Sequence, residues 1–159
     1  MLVRNGHPAL RAPAAAIRRL VHALDASARF PAPAGELSIA LLDATAMGRL
    51  HEEFLDDPAP TDVITFDGDR GLDSAGEICV CADVARRYAR EHRGDFSKEV
   101  TLYLVHGYLH LAGFDDTTGP ARTRMRRAEK EALAVLAAAE ALPRFVFAPA
   151  MPEKKSRPS

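Results

Sequence analysis

Residues 97–112 are apolar nearly all round when wound as a helix, and a helix of that kind is mostly buried. The chain must therefore build its core around this segment. Inside it, His106 and His110 stand four residues apart, about one turn, so both imidazoles leave from one face. Gly113 can adopt a positive φ and stop the helix. Asp115 and Asp116 follow at once, and a chain folding back would bring one of them to the same point. Two neutral imidazoles and a carboxylate leave one position of a tetrahedral metal open, the arrangement of a catalytic zinc site. The bland alternative is a pair of core histidines satisfied by backbone partners, with the aspartates as loop or N-cap carboxylates before the next helix. A bare pair at this spacing says little among 6 histidines; the conjunction of apolar helix, glycine stop and acids says more. Position 107 is Gly, where a metallopeptidase of the H-E-x-x-H type carries its general base.

The remaining composition narrows the setting. At 159 residues, with 47% hydrophobic and 27% charged residues, the chain reads as one globular domain with a real core. The formal net charge of −1 supplies no general attraction to nucleic acid, so any RNA contact has to come from local patches. Met1 to Pro8 lack an apolar signal core, and no apolar run approaches the ~20 residues that span a bilayer. A cytoplasmic protein with no membrane partner is expected. Cys79 and Cys81 alternate in a strand-like run and share a face, which reads as small buried core residues rather than a C-x-C metal pair.

Hydrophobic periodicity places the elements. A short strand is expected near Leu2 to Arg4. A helix follows from Pro13 to Ala28, with Ile17, Leu20, Val21 and Leu24 on its inner face and Pro13 in its first turn. Leu37 to Asp43 reads as a strand, and Ala44 to Leu55 as a helix with Met47, Leu50 and Phe54 on one side. Pro58 and Pro60 stiffen a loop before a strand at Val63 to Phe66. A turn at 67–71 leads to a strand at Glu77 to Cys81, and Ala82 to His92 forms a helix. Ser97 is expected to cap the histidine helix, with Glu99 near its positive end. Pro120 opens a last helix with Met125, Ala132, Leu133 and Leu136 inside, and Pro143 ends it. The order β-α-β-α-β-β-α-α-α argues for an α+β (mixed α/β) domain over residues 1–148, with about four strands. The segment 149–159 is rich in proline and charge and is expected to be disordered.

The stretch from His106 to Asp116 resembles the signature of the YbeY family, H-G-x-L-H-L-x-G-[YF]-D-H. Pro60 to Phe66 resembles that family's P-T-D-V-L-S-F, Gly76-Glu77-Ile78 its G-[DE]-I strand start, and Met125 with its helix falls where the family has them. The resemblance covers about residues 36 to 137, with the motifs in order. Two positions depart from it. Asp116 replaces the family's third metal-binding histidine, and Leu55 replaces an arginine that the resemblance assigns to RNA chemistry.

The resemblance implies an α+β fold with the metal helix packed beside the sheet, and a zinc-dependent single-strand endoribonuclease acting in rRNA maturation. It implies one Zn²⁺ on His106, His110 and Asp116; from the residues themselves, Asp115 is either the alternative third ligand or orients a histidine from outside the ligand set. The implied partners are rRNA or other single-stranded RNA and a ribosomal subunit, with no DNA. A carboxylate ligand would leave the site near +1 rather than +2 and its water less acidic. Two histidines and one carboxylate also suit non-haem iron; zinc is preferred because an open site suits hydrolysis. Part of the group Arg122, Arg124, Arg126 and Arg127 could face the cleft and hold phosphate, against a solvated face that also carries Glu129 and Glu131. Arg86, Arg87, Arg90 and Arg93 read as a solvated face, and His7, His22, His51 and His92 as surface residues. Thr61 and Asp62 either shape the cleft floor or form a turn. Two other readings stand beside the nuclease: a ribosome-assembly factor with a structural or vestigial metal, and a metallopeptidase, which Gly107 disfavours.

Overall fold

Alternation along two strands sets the layers. In the computed structural model, which describes residues 1–57 and 61–148, β3 (Glu36–Leu42) turns Leu37, Ile39 and Leu41 to one side and Ala40 to the other. Strand β5 (Ser74–Cys81) does the same with Ile78 and Val80 against Cys79 and Cys81. Side chains on opposite pleats need a cover on both faces. With β1 (Leu2–Asn5) and β4 (Val63–Asp67), these strands form one four-stranded sheet in the order β1-β3-β5-β4. Strand β3 runs parallel to both β1 and β5, and β4 runs antiparallel to β5.

The larger core lies under Ile78 and Val80. It is filled by α1 (Ala14–Ala26), α4 (Phe96–Leu111) and α5 (Gly119–Ala138), and α3 (Ala82–Glu91) adds Ala82 and Ala85. The smaller core, on the other face, is Ala40, Ile64, Cys79 and Cys81 under Met47 of α2 (Ala44–Leu55). Both thiols are buried there, and burial pushes Cys79 up to about 12 and Cys81 upward too. They are core residues, as their alternation implied.

Helix α4 lies against β4, β5, α3 and α5, and Leu109, Val105 and Tyr108 are fully buried. The Tyr108 hydroxyl donates to Asp25 Oδ1 at 2.6 Å, which gives a phenol in an apolar core its partner. Gly107 faces the sheet. A Cβ there would stand 2.5 Å from Ile78 Cγ2 and 3.2 Å from Thr65 Cγ2, so only glycine lets α4 settle this close. The residue that distinguishes this helix from a peptidase helix is thus a packing residue.

Several expectations change. The α4 N-cap is Asp95, whose carboxylate accepts from Lys98 N at 2.9 Å. Ser97 instead bonds the carbonyl and the amide of Phe145, tying the chain's far segment to α4. Pro13 is the N-cap of α1 and precedes the helix. Helix α5 ends at Ala138, before Pro143, because Glu140 adopts φ 53° and Ala141 N returns to Leu136 O. Phe54 is 56% exposed and meets Phe66 in a T-shaped contact, at 4.9 Å between centroids. A two-stranded ribbon, β2 (Leu10–Arg11) with β6 (Val146–Phe147), was not expected; two-residue strands carry no periodic signal. His7 is buried, not on the surface. Its Nε2 donates to Asp83 Oδ1 at 2.7 Å while Nδ1 accepts from Ala9 N. The prolines at 58 and 60 and the expected disordered segment 149–159 lie outside the described residues.

Candidate metal centre

The site begins with the end of α4. Gly113 takes φ 103°, its amide returns to His110 O at 3.1 Å, and Phe114 N returns to Leu109 O at 3.0 Å. These two bonds close a left-handed glycine cap that reverses the chain. The following loop runs back along the histidine face until Thr118, whose hydroxyl accepts from Ala121 N, starts α5.

This reversal brings Asp116 to the histidines. Its Oδ2 lies 3.4 Å from His106 Nε2 and 3.5 Å from His110 Nε2, and the two Nε2 atoms are 3.0 Å apart. Ligand atoms on a tetrahedral zinc with bonds of about 2.0–2.1 Å stand about 3.3 Å from one another. The triangle of three donors therefore has the size that one such ion requires. His106, His110 and Asp116 are also a group whose donor atoms lie within 4.8 Å of one another. Two imidazole nitrogens this close beside a carboxylate can share either a proton or a cation, and the residues fit a divalent cation.

Glu129 of α5 completes the geometry. Its Oε1 accepts from His106 Nδ1 at 2.7 Å, so the proton sits on Nδ1 and the Nε2 lone pair faces the cluster. The hydrogen bond to Glu129 holds the His106 imidazolium above its ordinary range, and partial burial works against that. By sequence alone Glu129 falls on a solvated face. Its signal was its place four residues after the buried Met125, on the edge of the inner stripe.

Asp115, expected as the alternative ligand or as a partner orienting a histidine, bonds its own turn instead. Its Oδ1 accepts from the amides of Asp116 and Thr117, and its Oδ2 from the Thr117 hydroxyl at 2.6 Å. These bonds hold its carboxyl below the usual range, the Thr117 hydroxyl contributing most. Asp115 shapes the turn that aims Asp116, and among the described residues it hydrogen-bonds no histidine. His22 and His92 are exposed and His51 is half-buried, and none of them joins the cluster.

The four arginines divide by helix phase. Arg122 and Arg126 precede Glu129 by seven and three residues, on the row that flanks the histidines, and Arg122 Nη1 donates to the Asp116 carbonyl at 3.5 Å. Arg124 and Arg127 precede Glu131 by seven and four, and Glu131 pairs with Arg29 at 2.9 Å on the opposite flank. Thr61 and Asp62 line a cleft with Tyr103 and Glu99 of α4, and the Asp62 carbonyl accepts from Cys81 N at 2.8 Å. Leu55, at the departure from the family pattern, is 60% exposed at the end of α2.

A family model described as Endoribonuclease YbeY matches residues 8–137. The chain belongs to the YbeY family. Proteins named Endoribonuclease YbeY are similar to it: that of Protochlamydia amoebophila is 44% identical over 85 residues, covering 51% of this chain and 57% of that protein. That of Frankia casuarinae is 32% identical over 115 residues, covering 64% of this chain and 57% of that protein. The chain thus spans somewhat more than half the length of these curated relatives. The solution structure of TM1509 from Thermotoga maritima shares the fold, with a TM-score of 0.59 over 89% of this chain and 95% of that one, at 23% identity. No helix among the described residues is long and apolar enough to cross a membrane.

The pH dependence of metal binding follows from Glu129. A ligand imidazole must be neutral, so a proton competes with the cation. His106 is raised above its ordinary value of about 6.5. Zinc affinity should therefore fall as pH drops through a midpoint above that value. The metal-free protein shows the converse linkage: the charged His106–Glu129 pair stabilises it fully below the unfolded pKa, and this is lost as pH rises through the folded one. Glu129→Gln should move the midpoint of zinc binding to lower pH. It should also weaken zinc binding at pH 8 by about 10–100-fold, the usual effect of losing an outer partner. Competition titrations with a chelator across pH measure both; an unchanged midpoint would remove Glu129 from this role.

Proposed function

We propose that the chain is a metal-dependent endoribonuclease that cleaves single-stranded RNA during rRNA maturation in the cytoplasm, with one zinc ion held by His106, His110 and Asp116. The observation that carries this reading is the triangle of donor atoms with sides of 3.0, 3.4 and 3.5 Å. When bound, such a cation supplies Lewis-acid polarisation and makes water a usable nucleophile at neutral pH. The reaction is hydrolytic: water adds to phosphorus, a P–O bond breaks, and the leaving oxygen takes a proton.

The protein's own groups hold and orient. Glu129 fixes the tautomer of His106, and Asp115 fixes the turn that presents Asp116. Arg122 and Arg126 share the row of Glu129 on α5, and guanidinium groups turned from that row to a phosphate at the cluster would stabilise charge that grows on the phosphoryl oxygens. Kinship with proteins named endoribonucleases supports the RNA substrate. The assay is cleavage of labelled single-stranded RNA by chelator-treated protein, with and without added zinc. Zinc should restore cleavage, and double-stranded RNA of the same sequence should persist. Absence of cleavage with zinc bound would favour the assembly-factor reading, which the exposed Leu55 in place of the family's arginine supports.

RNA binding should depend on one arginine row. Replacing Arg122 and Arg126 together by alanine should weaken single-stranded RNA binding and flatten its salt dependence, by about 0.7 in the log–log slope for each phosphate that is no longer neutralised. Replacing Arg124 and Arg127, on the α1 flank, should change the slope much less. Equal effects of the two pairs in fluorescence anisotropy across a salt series would refute the assignment.

A further inference from the structure

Helix α4 carries more than the two histidines on the face they share. Glu99, Tyr103, His106 and His110 follow one another at steps of four, three and four, so they form a single row along the helix. One turn before His106 this row enters a cleft of about 540 Å³ lined by Tyr103, Glu99, Asp62, Thr61 and Tyr88. Tyr88 comes from α3 and is 44% exposed, with one face of its ring covered. It is held in place by His92, stacked on it at 3.8 Å between centroids and 15° between planes. The acceptors in the cleft are the carboxylates of Glu99 and Asp62, and Tyr103 lines it beside them. Among the described residues no cation lines it.

This chemistry repels phosphate and welcomes a flat donor-bearing ring. Unpaired bases bind proteins by stacking on aromatic side chains and by hydrogen bonds from their edges, and a carboxylate accepts from an exocyclic amino group. We infer that the cleft between α3 and α4 is a nucleobase subsite, in which an unpaired base bearing an exocyclic amine stacks on Tyr88 and donates to Glu99 or Asp62 while the neighbouring phosphodiester lies at His106 and His110. The inference rests on the nuclease reading for the identity of the strand. It adds to that reading a base preference and the direction of the strand's path along α4. Cytosine and uracil make the sharpest comparison, because they match in size and charge and differ in an amine against a carbonyl.

The test uses the full chain and short labelled oligocytidylate and oligouridylate of equal length, at one salt concentration. Binding is read by anisotropy in chelator, and cleavage by gel after zinc is added. Oligocytidylate should bind about tenfold tighter than oligouridylate, as expected for a site that matches a donor to a carboxylate acceptor. Tyr88→Ala should weaken both by about tenfold as stacking is removed, and Tyr88→Phe should restore them. Glu99→Gln should narrow the preference while leaving oligouridylate binding in place. Equal binding of the two oligomers, or a Tyr88→Ala variant that binds as the parent does, overturns the subsite. Zinc-dependent cleavage without base preference would overturn the subsite and leave the nuclease standing. A cytosine preference in binding with no cleavage of either oligomer would keep the subsite and overturn the nuclease.

Discussion

His110→Ala should abolish stoichiometric zinc binding and leave the fold standing. The three donors form one triangle, and removing His110 Nε2 leaves a nitrogen and an oxygen 3.4 Å apart with nothing to close the site. The loss should exceed the roughly 10–100-fold that follows removal of an outer partner. The imidazole of His110 is a quarter exposed, whereas the neighbouring Leu109 and Tyr108 are fully buried and belong to the main core. Truncation therefore opens no cavity in that core, and an open site with three protein ligands contributes less to folding than a closed structural one. Metal analysis of the purified variant should read near zero, with a melting temperature close to that of the chelator-treated parent. Unfolding on metal loss would instead identify a structural zinc and weigh against the nuclease.

Gly107→Glu should do the reverse and destroy the fold rather than create a new activity. The substitution writes H-E-x-x-H into α4. Yet position 107 faces the sheet, 2.5 Å from Ile78 Cγ2 at the Cβ alone, and no direction of the helix lets a carboxylate reach the metal face from there without displacing β5. Overpacking at such a position costs about 1–3 kcal/mol, and a carboxylate buried without a partner costs several more. A small domain has about 5–15 kcal/mol in total, so soluble expression should fall sharply. Gly107→Ala separates the two terms: its methyl meets the same Ile78 while adding about 1 kcal/mol of helix propensity. Urea denaturation should find it destabilised, with zinc affinity little changed. A stable Gly107→Glu protein would show that the helix-to-sheet packing is looser than its geometry implies.

Much of the architecture is legible in the sequence because it is local. The alternation in Ile78-Cys79-Val80-Cys81 assigns two faces to one strand, and the steps between Ile17, Leu20, Val21 and Leu24 assign one face to a helix. The spacing of His106 and His110 puts both on a common face, and Gly113 marks the stop, because helix geometry and a positive φ are properties of neighbouring residues. The motif resemblance then leads to the family that the comparison shows.

Other features depend on which faces meet, and no local pattern contains that. Asp115 and Asp116 are chemically alike and adjacent; only the reversed loop directs Asp116 to the histidines and leaves Asp115 to bond the turn. Glu129 looks like one acid on a charged helix until α5 packs beside α4 and brings it to His106. The same packing brings Arg122 to the Asp116 carbonyl, while Glu131, on the row of Arg124 and Arg127, pairs with Arg29. His7 reads as a surface residue near the chain start, and becomes buried only because Asp83 arrives as its acceptor. Periodicity specifies a residue's direction relative to its own element. The partner at the end of that direction is set by burial of apolar area between segments far apart in sequence, and that is decided by the whole fold.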